Sequence, residues 1–298
     1  MSLQRYFSPA KINLTLHVSA PIAAGEKYAG YHKLDSLVAF TKDIGDYLYF
    51  LPSESLELII SGRFANGLDT GENNIIIKAL RLLEAHVGHS IKAKIELEKN
   101  LPIASGIGGG SGNAAAALIG LNQIFNLGLD YEVLEKIALQ LGADVPVCLK
   151  GLPIIMRNIG DEFAPAPKFP NLPIVLANPL VECSTPSIYK KFDYLKDYDF
   201  SEFEFKDTTS LDGFCDLISS AKNDLENANF ALYPQVKLLV KTMKNLTGVK
   251  LVRMSGSGGS VFAIFENADY AKKGAETLHE IYNNQIWAIA GTLAGNHE

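Results

Sequence analysis

The sequence predicts an α+β protein of two domains, and three observations carry that prediction. Segments of period-two alternation are mixed with amphipathic helices in the first half. The second half runs strand, helix, strand, strand, helix, strand. A proline-dense stretch lies between the halves, and a chain of 298 residues is long enough to bury two cores.

In the first half, alternation predicts strands over residues 11–18, 46–51, 56–61 and 91–97. In the last of these, Ile91, Ala93, Ile95 and Leu97 share one face, while Lys92, Lys94 and Glu96 share the other. Helical spacing predicts helices over 75–86 (Ile76, Leu80, Leu83), 113–125 (Leu118, Leu121, Ile124) and 131–141 (Leu134, Ile137, Ala138, Leu141). In the second half, 174–178 reads as a strand and 236–246 as a helix after the helix-opening Pro234. Strands over 250–254 and 261–265 follow, joined by a short Gly/Ser turn, then a helix over 268–282 and a strand over 286–290. This is the split βαβ, ferredoxin-like order. Helical stretches near 186–192 and 215–230 read as insertions. Pro165, Pro167, Pro170 and Pro173 set the expected domains at 1–165 and 166–298. The segment 192–207 alternates aromatics with acids and reads as a solvated edge or loop.

The formal charge of -6 argues against the basic footprint of a nucleic-acid binder. Cys148, Cys183 and Cys215 lie far apart, without CxxC spacing, and read as buried thiols. Residues 1–8 do not read as a secretory leader, and no apolar run approaches the roughly 18 residues of a membrane span. A cytoplasmic protein is expected.

Residues 101–117 carry the strongest local signal. Glycines cluster at Gly106, Gly108, Gly109 and Gly110 between a strand and an alanine-rich helix starting near Ser111. Glycine lets the backbone approach a phosphate closely, and a helix start offers free N–H donors with partial positive charge. A flexible turn before a packed helix would look similar. The P-loop pattern fails, because Gly112 and Asn113 stand where Lys and Ser/Thr are needed. The looser dinucleotide fingerprint G-x-G-x-x-A fits residues 110–115, with Asp130 about twenty residues on, but no strand leads directly into it.

Four weaker signals accompany the loop. Lys11 and Asn13 share one side of a strand, in a polar pocket or facing solvent. Asp144 follows a helix that ends at Gly142, as a partly buried carboxylate or a turn Asp. Residues 253–260 (RMSGSGGS) join two strands, as a site wall or a plain hairpin turn. Tyr31 and His32 enter a strand, as a binding pair or an ordinary satisfied histidine.

Taken together and in this order, Pro9-Ala-Lys-Ile-Asn-Leu14, the Pro102 to Ser111 loop and Met254-Ser-Gly-Ser-Gly-Gly259 resemble the three motifs of the GHMP kinases. The resemblance implies the two-domain GHMP kinase fold: a ribosomal protein S5 domain 2-like N-terminal domain, which binds ATP, and a ferredoxin-like C-terminal domain. Within the superfamily the chain looks most like the branch that phosphorylates the tertiary 2-hydroxyl of 4-diphosphocytidyl-2-C-methyl-D-erythritol. Gly30 to His32, Gly142 to Pro146 and Asn223-Asp-Leu-Glu226 add to that likeness.

By resemblance, Asp144 is the general base and Lys11 the cation beside it. The ATP site comprises Pro102, Ile103, Ala104, Ser105, Gly106, Ile107, Gly108, Gly109, Gly110, Ser111 and Gly112, with Asn74, Ser257 and Gly258. The acceptor contacts are Asn13, Tyr31, His32, Thr185 and Tyr189. ATP with Mg²⁺ is implied, with no protein ligand assigned to the metal, as are small-molecule substrates, no nucleic-acid or membrane partner, and a monomer or weak homodimer. The chain departs from the family pattern at Ala104, Ser105, Gly112, Gly259 and Ser260, and in an extra stretch over 20–29. The rival readings are another GHMP kinase, acting on mevalonate, homoserine or a sugar, and a non-catalytic nucleotide or sugar sensor.

Overall fold

The computed structural model describes residues 4–296. In chain order the elements are β1 (Gln4–Asn13), β2 (His17–Pro21), β3 (His32–Pro52), β4 (Glu57–Ser61), α1 (Ile75–Val87), β5 (Ala93–Glu98), α2 (Gly109–Ile124), α3 (Tyr131–Leu141) and α4 (Val145–Lys150). They continue with β6 (Ile154–Asn158), β7 (Glu162–Pro165), β8 (Leu172–Asn178), α5 (Thr185–Leu195), α6 (Leu211–Ser219), α7 (Glu226–Leu232), α8 (Pro234–Met243), β9 (Val249–Met254), β10 (Val261–Phe265), α9 (Ala268–Ile281) and β11 (Trp287–Leu293). By contact, the described chain divides into two units. The first holds residues 4–10, Gly45–Ile103 and Gly108–Gly151; the second holds Lys11–Ile44, Ala104–Ile107 and residues 152–296. The expected proline-rich stretch runs from β7 into β8.

In the first unit, β5 pairs in parallel with β4 (Leu58↔Ile95) and antiparallel with the second half of β3 (Leu48↔Leu97). The buried residues Ala93, Ile95 and Leu97 of β5 alternate with partly exposed ones, as the period-two pattern requires. Helices α1, α3 and α4 pack on α2. Close packing there demands small residues: a Cβ at Gly120 would lie 2.5 Å from the Phe50 ring.

In the second unit the sheet order is β11-β8-β10-β9, all antiparallel (Ile289↔Leu176, Ala263↔Val175, Phe262↔Arg253). With α8 and α9 this is the expected ferredoxin-like arrangement. Leu293 of β11 pairs with Thr41, so the first half of β3 continues this sheet, flanked by β2 and β6. The core joins Val175, Ala177, Val261, Ala263 and Phe265 to Leu239, Met243, Ala271 and Leu278 of the two helices.

Three of the differences from the sequence expectations lie beside the glycine segments. The strand expected over 11–18 breaks at Leu14 and Thr15, because Leu16 turns to exchange backbone bonds with residues 222 and 224 instead (Leu16 N–H to Lys222 C=O, 2.9 Å; Asp224 N–H to Leu16 C=O, 2.9 Å). The helix expected over 215–230 is two helices, α6 and α7, separated by Asn223 and Asp224, whose side chains bond elsewhere. Helix α2 begins at Gly109 rather than near Ser111.

Candidate active site

Three hydrogen bonds fasten the glycine loop. Ser105 C=O accepts the Ser260 N–H at 3.0 Å, Gly106 C=O accepts the Ser255 hydroxyl at 3.1 Å, and Ile107 C=O accepts the Lys11 N–H at 2.9 Å. Gly106 has φ 74°, and a Cβ there would stand 2.6 Å from Gly258 C=O, so both conformation and space require glycine. Ala104 also takes a positive φ, of 49°, without being glycine. Gly108, at φ 67°, is the N-cap of α2 and offers no side-chain cap. The first helical bond runs from Gly112 N–H to Gly108 C=O at 2.7 Å, which leaves the preceding N–H groups of the turn outside the intrahelical ladder. Beside Gly110 lies open space, with nothing within 4 Å of a Cβ position. The arrangement presents free donors and the positive end of a helix dipole to an anion.

The turn between β9 and β10 is more elaborate than a two-residue hairpin. Ser255 N–H bonds Ser260 C=O at 3.0 Å, and Gly256, Gly258 and Gly259 all have positive φ. A Cβ on Gly258 would meet the Asn229 amide at 2.4 Å. The Asn229 amide in turn donates to Ser257 C=O at 2.8 Å. The Ser257 hydroxyl meets that of Thr185, the first residue of α5, at 2.7 Å. The structure therefore brings together Ser257, expected on the nucleotide side, and Thr185, expected on the acceptor side.

Asn13 is 3% exposed; its backbone N–H bonds the Ser255 hydroxyl at 3.1 Å and its amide donates to Ser36 Oγ at 2.8 Å. His32 is buried at the start of β3. Its Nδ1 contacts Ser19 C=O at 2.8 Å, Nε2 stands 3.5 Å from Asp193 Oδ1, and its ring lies 5.0 Å from Tyr189. Tyr31 is 62% exposed, its ring edge-on to Tyr28. Both His32 ring nitrogens are thus engaged, and Tyr189 and Tyr31 present aromatic surface of the kind that stacks on a flat ring.

Lys11 is 3% exposed within β1. Asp144 is half-buried at the start of α4, and its carboxylate makes no capping bond to that helix. Asn74 caps α1: its Oδ1 accepts the Ile76 N–H at 2.8 Å and its amide donates to Asp69 C=O at 2.6 Å. The neighbouring Asn73 is exposed.

The profile described as "GHMP kinases N terminal domain" matches residues 74–152, and "GHMP kinases C terminal" matches 205–284. A protein of Rhizobium johnstonii named 4-diphosphocytidyl-2-C-methyl-D-erythritol kinase is 42% identical over 96% of this chain and 92% of its own. The chain belongs to the GHMP kinase family. A kinase of the same name from Paramagnetospirillum magneticum is 40% identical over 95% of both chains. The crystal structure of a 4-(cytidine 5'-diphospho)-2C-methyl-D-erythritol kinase superposes with a TM-score of 0.80 at 30% identity, covering 98% of this GHMP kinase and 100% of that chain. The homoserine kinase of Cytophaga hutchinsonii shares the fold, with a TM-score of 0.70 at 18% identity.

Several residues that shape this GHMP kinase site were given no role from sequence. Asn223 donates to Met254 C=O and Gly256 C=O, Asp224 Oδ2 accepts the Val18 N–H at 2.8 Å, and Glu226 Oε1 accepts the Met254 N–H at 2.9 Å. Arg253 donates to the carbonyls of Leu14, Ile218 and Ala221. Burial raises the Glu226 carboxyl above its ordinary value, against the Met254 N–H bond and the Arg253 charge, which lower it. The Asn-Asp-Leu-Glu run was the available signal, and its work is to hold the glycine turn. One family departure also has a reason: a Cβ on Gly112 would stand 2.6 Å from Ser8 Oγ, so the buried Ser8 requires glycine there.

Proposed function

We propose that this GHMP kinase transfers the γ-phosphoryl group of ATP to the 2-hydroxyl of 4-diphosphocytidyl-2-C-methyl-D-erythritol, giving the 2-phosphate and ADP, in non-mevalonate isoprenoid precursor biosynthesis. The observation that carries this reading is the 42% identity, over nearly the whole chain, to a kinase bearing that substrate's name. The tied glycine loop and the His32–Tyr189 pair support it from the chemistry.

The acceptor oxygen attacks the γ-phosphorus, the bond to the β–γ bridging oxygen breaks, and ADP leaves with that oxygen. Asp144 takes the hydroxyl proton, the service a poor tertiary nucleophile needs, and Lys11 offsets negative charge developing at the attacking oxygen. Residues 102–112 hold the phosphates, with Ser257 and Gly258 adding backbone and hydroxyl contacts and Asn74 on the nucleotide side. Asn13, Tyr31, His32, Thr185 and Tyr189 hold the cytidylated acceptor. Mg²⁺ would accompany ATP and would offset charge on its phosphates. No protein ligand is assigned to the ion. We keep the domain division at residue 165 as a proposal, a position between the two family matches. We place the enzyme in the cytoplasm, as a monomer or weak homodimer; among the described residues no helix is long and apolar enough to cross a membrane.

The test is ADP release with the cytidylated diol, mevalonate and homoserine as competing acceptors. Preference for the first is expected, and preference for either other overturns the assignment. Asp144→Asn should lower turnover by about 10²–10⁴ while ATP still binds. Near-normal turnover in that variant would remove Asp144 as the base.

A further inference from the structure

The first unit contains a buried ion pair that the reaction above leaves unused. Asp46, in β3, is fully buried, and Lys99, just after β5, is 4% exposed. Asp46 Oδ2 accepts the Lys99 ammonium, while Oδ1 accepts the N–H groups of Asn100 at 2.7 Å and Leu101 at 2.8 Å. One carboxylate thus fixes the chain immediately before Pro102, where the glycine loop begins. The Lys99 backbone is held as well: its N–H bonds Ser61 C=O at 2.7 Å and its C=O accepts the Phe64 N–H at 3.1 Å. On the far side, a Cβ placed on Gly109 would lie 3.0 Å from Lys99 Nζ. The ammonium therefore stands against the first residue of α2.

This placement is costly for the protein alone. A cation at a helix N-terminus opposes the helix dipole, and a buried ion pair stabilises less than apolar packing of the same volume. Burial lowers the Lys99 ammonium below its ordinary value, against the raising influence of Asp46. A bound anion reverses the balance, because phosphate oxygens at the start of α2 would be attracted by the dipole and the ammonium together.

We propose that Lys99, oriented by Asp46, is a positioning residue for the phosphate groups of ATP, raising the positive potential at the start of α2 while the same carboxylate fixes the entry to the glycine loop. The proposal rests on reading the α2 start as the phosphate site. The double variant Asp46→Asn/Lys99→Met removes both charges yet keeps an oxygen to accept the Asn100 and Leu101 N–H groups.

Calorimetry with ADP and with adenosine, beside steady-state kinetics, makes the test. The folded variant should lose about tenfold in ADP affinity and in ATP KM, with adenosine affinity and the acceptor KM within about twofold of wild type. Unchanged ADP affinity in the folded variant overturns the proposal, and so does an equal loss for adenosine and ADP. If the double variant does not fold, Lys99→Gln, which still donates a hydrogen bond to Asp46, is judged by the same results. Wild-type protein that binds adenosine as tightly as ADP would defeat the phosphate reading of α2 itself, a separate failure seen without any variant.

Discussion

Asn223 donates its amide to the Gly256 carbonyl at 2.8 Å, and with a second bond to Met254 C=O it holds the glycine turn in shape. Removing it as Asn223→Ala leaves buried acceptors without their donor, at a cost of about 1–3 kcal/mol. Denaturant unfolding should show that loss. Asn223→Asp, which keeps the shape but not the donor, should lose at least as much. Full stability in both variants would show that the turn does not depend on this amide.

Two glycines of the loop should respond in opposite ways. Gly106→Ala puts a Cβ 2.6 Å from Gly258 C=O at φ 74°, so both ATP binding and thermal stability should fall sharply. Gly110→Ala enters open space and should leave stability within about 1 kcal/mol of wild type. Thermal unfolding of the pair reads both outcomes.

The aromatic residues should affect the acceptor KM rather than the ATP KM. Tyr31 is 62% exposed, so Tyr31→Ala should raise the acceptor KM with little change in melting temperature or in ATP KM. Tyr189→Ala should raise the same KM and also lose about 0.5–1.5 kcal/mol of stability, through its ring contact with His32 at 5.0 Å. An unchanged acceptor KM in Tyr31→Ala would remove Tyr31 from the site.

His17 should make folding sensitive to acid. It is 4% exposed, neither ring nitrogen has a hydrogen-bond partner, and it stacks on Phe203 at 5.8 Å. Burial depresses its pKa below 6.5, outweighing the raising influence of Asp224 and Asp35. Below that value the unfolded chain takes up a proton that the folded chain refuses. Stability contributed by neutral His17 is thus present above pH 6.5 and lost as pH falls toward the depressed folded value, by at most about 1.4 kcal/mol per pH unit. In His17→Phe the melting temperature should fall less between pH 7 and 5 than in wild type. Parallel curves would show that His17 does not contribute.

The ferredoxin-like half was legible because its elements are short and each is bounded by a turn or cap: Pro234 opens α8, Asn267 caps α9, and glycines separate β9 from β10. The glycine loop was legible for the same reason. The length of β3 was not, because Lys42, Asp43 and Gly45 look like a break. In the fold Gly45 answers packing rather than turning, since a Cβ there would lie 2.3 Å from Ser8 C=O. Helix α4 was missed because six residues give no helical period to read. The site residues with long-range polar roles, Asn223, Asp224 and Asp46, carry no local periodicity. Their partners lie far away in sequence, and only the fold reveals them.

The bonds that fasten Ser105, Gly106 and Ile107 also set an order of events during synthesis. The Ser255 hydroxyl that grips Gly106 follows it by 149 residues, and Ser260, which grips Ser105, comes later still. A nascent chain can wind α2 from local contacts long before those serines have been translated. Until they emerge from the ribosome, two of the three fastenings have no partner. The fastened glycine loop is therefore among the last parts of the molecule to mature, and a fragment ending before Ser255 would keep the helix but not the grip.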